Sequence, residues 1–294
     1  MVSAKTPRWL VSALVLLCAS PASAQSVEDV LGRYSGPNAE GYLQPLADVL
    51  GAALGSGWAR SADIQSGFHL RLSVIAAGAP ISGDARTFAG TTEDFDPVTT
   101  VDAPTIFGST ETVAVPGVGG TSYRFAGGID ADLAGTLIPQ VTIGTVAGTE
   151  AMVRWFSVDL GDDFGSVSQL GLGARHDVDR YFGESLPVEL AAGVYWQSFE
   201  IGSVVDATTF TGMVHTSWST SVLTLFGGLG YETSSVDVSY TPEGQTTGID
   251  VALDGANSVR ATAGLGLHLW LFGIFADYTV ASQSAFTLGV EVGR

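Results

Sequence analysis

The sequence predicts an all-β protein, a transmembrane antiparallel β-barrel of about 12 strands (about 10–14) preceded by a short helical segment. Three observations carry that prediction. Apolar and polar residues alternate with a period of two along most of the chain, as in "VRATAGLGLHLWLFGIFADYTV" at 259–280. Hydrophobic residues make up 46% of the sequence, yet beyond the N-terminus no apolar run is long enough to cross a bilayer as a helix, which needs about 20 residues. The first residues read as an export signal, with Lys5 and Arg8, the apolar run 9–17 and then Ala22-Ser23-Ala24 before Gln25.

The divisions expected are a signal peptide at 1–24, a helical segment at 25–65 that plugs or caps the barrel, and an outer-membrane β-barrel at 66–294. Cys18 follows Leu17, where a lipoprotein signal carries a small residue, so lipidation is not expected. Cleavage after Ala24 removes two of the 12 basic residues and none of the 30 acidic ones, taking the formal net charge from −18 to −20. It also removes the single cysteine, which suits an oxidising compartment. So acidic a chain excludes nucleic acid as a partner, because the phosphate backbone would be repelled. The charge is read as solvated loops or as adaptation to a salty medium.

Each element follows from its local pattern. In "NAEGYLQPLADVLGAALGSGW", Tyr42, Leu46, Val49, Leu50, Ala53 and Leu54 recur at three- and four-residue steps, one apolar stripe of a helix that ends near Gly55 or Gly57. In "GFHLRLSVIAA", Phe68, Leu70, Leu72 and Val74 oppose His69, Arg71 and Ser73, the first strand, at 67–77. The stretch 78–119 reads as a long acidic loop with one strand near 110–115. Further strands are expected at 120–128, 139–147, 149–158, 165–177, 186–200, 205–217, 220–239, 258–270, 272–281 and 284–293. If the last strand runs inward, the tight turn at Trp270–Gly273 falls on the periplasmic side and the acidic stretches 78–109, 159–165 and 241–257 fall outside.

Alternation also sorts the side chains. The lumen-lining candidates are Arg71, Glu150, Arg154, Arg175, Glu189, Arg260, Asp277 and Glu291, with Gln197 on the same face. Opposite them lie Val153, Trp155, Val188, Leu190, Val194, Trp196, Leu267, Ile274, Tyr278, Leu288 and Val290, a lipid-facing set. An arginine introduced on that outer face is expected to be costly and one at Thr262 or Thr287 better tolerated. The charged lumen set has two readings: a polar constriction that selects solutes, or ion pairs that fill and stiffen a small barrel. Trp155, Trp196, Trp218, Trp270, Tyr231 and Tyr278 are expected at the bilayer interfaces.

No enzymatic activity and no cofactor are expected. The histidines His69, His176, His215 and His268 lie on separate segments without a metal-ligand spacing. His176-Asp177 has no accompanying nucleophile motif, and the glycines of "GLGLH" and "GGLGY" sit inside alternating strands with no following helix, which suits strand packing better than phosphate binding.

Several stretches together resemble an uncharacterised family of predicted bacterial outer-membrane proteins, distantly similar to the long-chain fatty-acid transporter barrels. They are "YLQPLADVLGAALGSGW", "PTIFG" (104–108), "LIPQVTIG" (137–144), "TEAMVRWFSVD" (149–159), "LGLGARHDVDRYF" (170–182), "LPVELAAGVYWQSF" (186–199), "LFGGLGYETSSVDVSY" (225–240) and "FGIFADYT" (272–279). The resemblance implies a bacterial outer-membrane barrel with outer-membrane lipid as its surroundings and a small or hydrophobic solute as its cargo. The alternative is a structural or partner-binding barrel whose lumen is closed and salt-bridged.

Overall fold

Alternation over nine or more residues yields strands long enough to cross a bilayer with tilt, and it is these strands that form the wall. The computed structural model describes residues 34, 36–65, 67–144, 147–159, 161, 165–182, 187–240 and 249–293. The expected signal peptide, 1–24, lies outside them. In chain order come helix α1 (Gly36–Leu54), strand β1 (His69–Pro80), the small hairpins β2 (Thr87–Thr91) with β3 (Thr100–Pro104) and β4 (Val113–Pro116) with β5 (Ser122–Phe125), then β6 (Leu133–Gly144) and β7 (Thr149–Asp159). After them follow β8 (Ser166–Asp177), β9 (Glu189–Ile201), β10 (Val205–Ser219), β11 (Leu223–Tyr240), β12 (Ile249–Asp254), β13 (Val259–Leu269), β14 (Phe272–Val280) and β15 (Ala285–Gly293).

Ten of these close into a ring. The order is β1, β6, β7, β8, β9, β10, β11, β13, β14, β15 and back to β1, every pair antiparallel. β12 continues the same edge of β11 beyond β13, pairing Ser235–Tyr240 with Ile249–Asp254. Within the ring the strands fall close to where alternation puts them, except β6, expected at 139–147, which begins at Leu133. The expected strands near 110–115 and 120–128 instead form the β4–β5 hairpin, whose four-residue strands pair only with each other. They are too short to cross a membrane, and Val115 and Phe125 turn inward to cover α1. Conversely, β12 lies in a stretch read as loop.

Connections sort by end. At one end lie the tight turn after Leu269, the turn 220–222 and the connections from β6 to β7 and β8 to β9; at the other lie the 81–132 excursion, 202–204, 281–284 and the passage from β11 to β13. On β11 the outward face changes character within a single strand. Leu225, Leu229 and Tyr231 are exposed at 47%, 68% and 56%, whereas Thr233, Ser235, Asp237 and Ser239, further toward the long loops, are polar and exposed. Trp270 at 85%, Phe68, Tyr181, Phe182 and Phe272 ring the short-turn end. No helix among the described residues is long and apolar enough to cross a membrane.

The chain's N-terminal part occupies the inside of this ring. α1 is buried nearly all round, with Tyr42, Leu43, Ala47, Val49, Ala52 and Leu54 all inaccessible, and it touches β1, β6, β10, β11, β12 and β15. Its first turns are roofed by the two hairpins: Tyr34 packs on Tyr42, Phe88 and Phe125, and the Asn38 side chain exchanges hydrogen bonds with the Thr91 backbone at 2.7 and 3.0 Å. Pro45 removes one helical N–H, and the nearby Tyr42 carbonyl accepts from Ile106 N at 3.1 Å. After Leu54 the chain leaves the helix and runs on among the inward side chains of the wall. Thr262 and Thr287, expected to tolerate an arginine, are buried and bonded to Thr279 (2.8 Å) and Asp277. The filled lumen leaves no space for a longer side chain there.

Candidate functional site

Two features inside the ring have the chemistry to act: a polar lattice around residues 55–62, and an apolar recess where the wall is incompletely laddered.

The lattice begins where α1 ends. Carbonyls in the last turn of a helix have no helical partner, and here that of Leu54 lies 3.5 Å from Nη1 of an arginine. Arg154 of β7, fully buried, donates from Nη1 to the Ser56 carbonyl and to Gln197 Oε1, both at 3.0 Å, and from Nε to Gln140 Oε1 at 2.9 Å. Its guanidinium lies 3.3 Å from the centroid of Trp58, and Trp58 stacks in turn on Tyr195 at 4.7 Å. Arg260 reaches the same turn from β13, donating to Ser56 Oγ at 2.8 Å and pairing with Glu232. Gly55 passes so close to Glu232 and Arg260 that a Cβ would overlap both.

Further toward the short turns the lattice is built on carboxylates. Glu150, inaccessible, accepts from His69 at 2.7 Å, Arg71 at 2.8 Å and Arg175 Nε at 2.6 Å. Arg175 also donates to the Ser61 carbonyl, and Ala62 N donates to Ser217 Oγ at 2.8 Å. Ser217 donates onward to Glu189 at 2.7 Å. Glu291 pairs with Arg60 and lies 3.4 Å from His268. A cavity of about 240 Å³ opens here, lined by Arg60, Asp63, Arg71, His268, Trp270 and Glu291 among others.

The structure thus places Arg71, Glu150, Arg154, Arg175, Arg260 and Glu291 in direct contact with one another or with residues 55–62. Asp277 accepts from Thr287 on the neighbouring strand, and half-buried Glu189 sits at the edge, behind Ser217. Glu232 escaped sequence analysis although it shares the inward parity of Thr224 and Phe226. Arg60 and Trp58 had no signal at all, since they lie in an aperiodic segment. The four histidines stay apart: His176 meets Thr149 and Tyr181, both at 2.8 Å, and His215 meets Tyr195 at 2.7 Å. Among the described residues no group of His, Cys, Asp or Glu could hold a metal ion.

The apolar recess lies at a seam. β6 pairs with β1 over twelve rungs and β7 with β8 over eleven, but β6 and β7 pair over only five, Gln140–Gly144 with Glu150–Arg154. The next residue of β6 is Pro139, which has no N–H to donate. Beyond it, Leu133–Ile138 and Trp155–Asp159 share no ladder. Behind this seam is a cavity of about 30 Å³ between α1 and the wall, lined by Val49, Leu50, Ala53, Leu54, Gly135, Thr136, Phe156 and Phe199. Burial also pushes the Tyr42 hydroxyl of α1 above its ordinary range, so it stays protonated and donates to the Gly127 carbonyl at 3.1 Å.

No protein of curated function matches the chain. Among solved structures it is similar to the toluene transporter TbuX of Ralstonia pickettii, at 10% identity and a TM-score of 0.31 over 85% of this chain and 98% of that one. It is also similar to a FadL homologue of Pseudomonas aeruginosa, at 9% identity and a TM-score of 0.21 over 88% and 95%. Superpositions this loose bear on neither solute nor mechanism. A family model, by contrast, matches residues 4–294, and the chain belongs to that family of unknown function (DUF6588).

Proposed function

We propose that this protein is an outer-membrane barrel that passes small hydrophobic solutes, with residues 36–65 serving as its plug. The membrane location is supported by the apolar belt, the aromatic residues at the short-turn end and the switch to a polar outer face beyond Tyr231 on β11. One observation carries the solute class: the unladdered seam between β6 and β7 leads to a recess whose walls are Leu50, Leu54, Phe156 and Phe199. The long-loop end is roofed by an apolar core and the lattice occupies the lumen below, which favours a hydrophobic cargo over water and ions. Hydrocarbon at the seam meets side chains of its own polarity.

Cells carrying the native chain are expected to take up a small hydrophobic solute faster than cells lacking it. Ala53→Leu, which fills the recess, is expected to remove that difference while the protein still fractionates with outer membranes and shows heat-modifiable migration. Equal uptake with and without the native chain refutes transport. A second reading, a closed structural barrel, is favoured by the ion pairs on Glu150 and Glu232, which stiffen the lumen. It predicts no uptake in either variant.

A further inference from the structure

The side chains that line the recess are apolar except Thr136, and one further polar side chain stands beside it on the wall. Gln169 of β8 stands between Phe156 of β7 and Phe199 of β9, its direct cross-strand neighbours, and both phenylalanines line the recess. Its side chain is 2% exposed, and neither its amide oxygen nor its amide nitrogen has a hydrogen-bond partner. On the next rung toward the short turns, Gln197 Nε2 and Thr209 Oγ1 are likewise buried and unpartnered. An amide left in this way costs stability, because folding removes its water and returns nothing. A buried wall position between two phenylalanines would be filled more stably by Leu or Met. A residue that destabilises the empty barrel at the edge of an apolar recess is accounted for by what it meets there when the recess is occupied.

We infer that Gln169 selects the solute, and that the preferred cargo is a small uncharged amphiphile: an apolar body held by Phe156, Phe199, Leu50 and Leu54, with one hydroxyl or carbonyl bonded to the Gln169 amide. The inference rests on the transport reading above and narrows its substrate class. A neutral head group fits because Gln169 offers one acceptor and two donors without charge. Arg154, which pairs with Gly171 two residues along β8, is turned away to Ser56, Gln140 and Gln197 and lies over Trp58, with only its Nη2 left without a hydrogen bond. A recess of about 30 Å³ has space for no more than a few water molecules. Entry of a larger body therefore displaces half-buried Leu50 and the helix that carries it.

Two probes of one shape test this, p-cresol and p-xylene, in which a hydroxyl replaces a methyl group. Equilibrium dialysis against the purified full chain, corrected for detergent partition, is expected to show p-cresol held about fivefold more tightly, the ratio for about one well-made neutral hydrogen bond. Gln169→Met, of similar length and apolar, brings that ratio to about one and raises the Tm of the unliganded protein. Gln169→Asn, with the amide one methylene shorter, falls between them at about twofold and serves if the methionine variant loses its heat-modifiable folded form. A native ratio of one, or a ratio that neither substitution moves, overturns the inference and leaves transport standing. Binding of neither probe overturns the hydrophobic-solute reading itself.

Discussion

Replacing Arg154 with Met should release residues 55–61 from the wall without opening the ring. The side chain holds that segment through its bond to the Ser56 carbonyl at 3.0 Å and its position 3.3 Å over Trp58. A hydrogen bond from a charged donor contributes about 1.5–3 kcal/mol and a desolvated cation–π contact about 2 kcal/mol. Methionine leaves no buried charge behind, so relief of the guanidinium's desolvation offsets part of the loss. The net cost to docking is about 3 kcal/mol, which multiplies the undocked population by roughly 150. Amide hydrogen exchange of the folded chain, read by mass spectrometry, measures it directly: protection across 55–61 should fall by about two orders of magnitude, while the β13–β14 hairpin is unchanged. Arg154→Lys keeps the charge but loses the planar fork, so it should fall between the two. Unchanged protection at 55–61 would refute the assignment, because Gly55 and Trp58 would then be held by shape alone. A uniform loss around the ring would show that Arg154 braces the wall and not the segment.

Three further outcomes are expected. Glu150→Gln leaves Arg71, Arg175 and His69 around a neutral amide and should cost about 3–5 kcal/mol, seen as a lower temperature for the heat-modifiable transition; an unchanged transition would mean that other acceptors take over the two arginines. Leu267→Arg, on the exposed apolar face of β13, should cost about 2–4 kcal/mol in folding into lipid bilayers, and no cost would place that face outside the membrane. In the connection from β8 to β9, a hydrogen bond that protonated Asp179 donates to the Asp177 carboxylate, with burial and the charge of Asp177 adding to it, raises Asp179 to about 6. A raised carboxyl pKa stabilises the connection fully below the unfolded value of about 3.9 and loses that contribution as pH rises through about 6. Amide exchange at Tyr181 and Phe182 should accordingly quicken, beyond its intrinsic pH dependence, between pH 4 and pH 7, on the order of the interval between those two values.

The sequence by itself determined which faces exist. A period of two assigns every strand residue to one of two sides, so Arg154, Arg175, Arg260 and Glu150 were separable from Trp155, Leu267 and Val290 before any contact was known. The helical stripe of 42–54 was legible for the same reason, because a period near 3.6 is distinct from 2. Pairing was not. Alternation gives β4 and β5 the same signature as a wall strand, and only their length and the packing of Phe125 against Tyr34 turn them into a roof. What lies inside the ring was also decided in three dimensions. Residues 55–65 carry no period, so nothing local marks Trp58 or Arg60, and Arg154 meets Ser56 across a separation of 98 residues. The seam at Pro139 and the unpartnered amide of Gln169 belong to the same class of fact. A missing rung or a missing hydrogen-bond partner is a relation between strands, and it has no existence until the barrel closes.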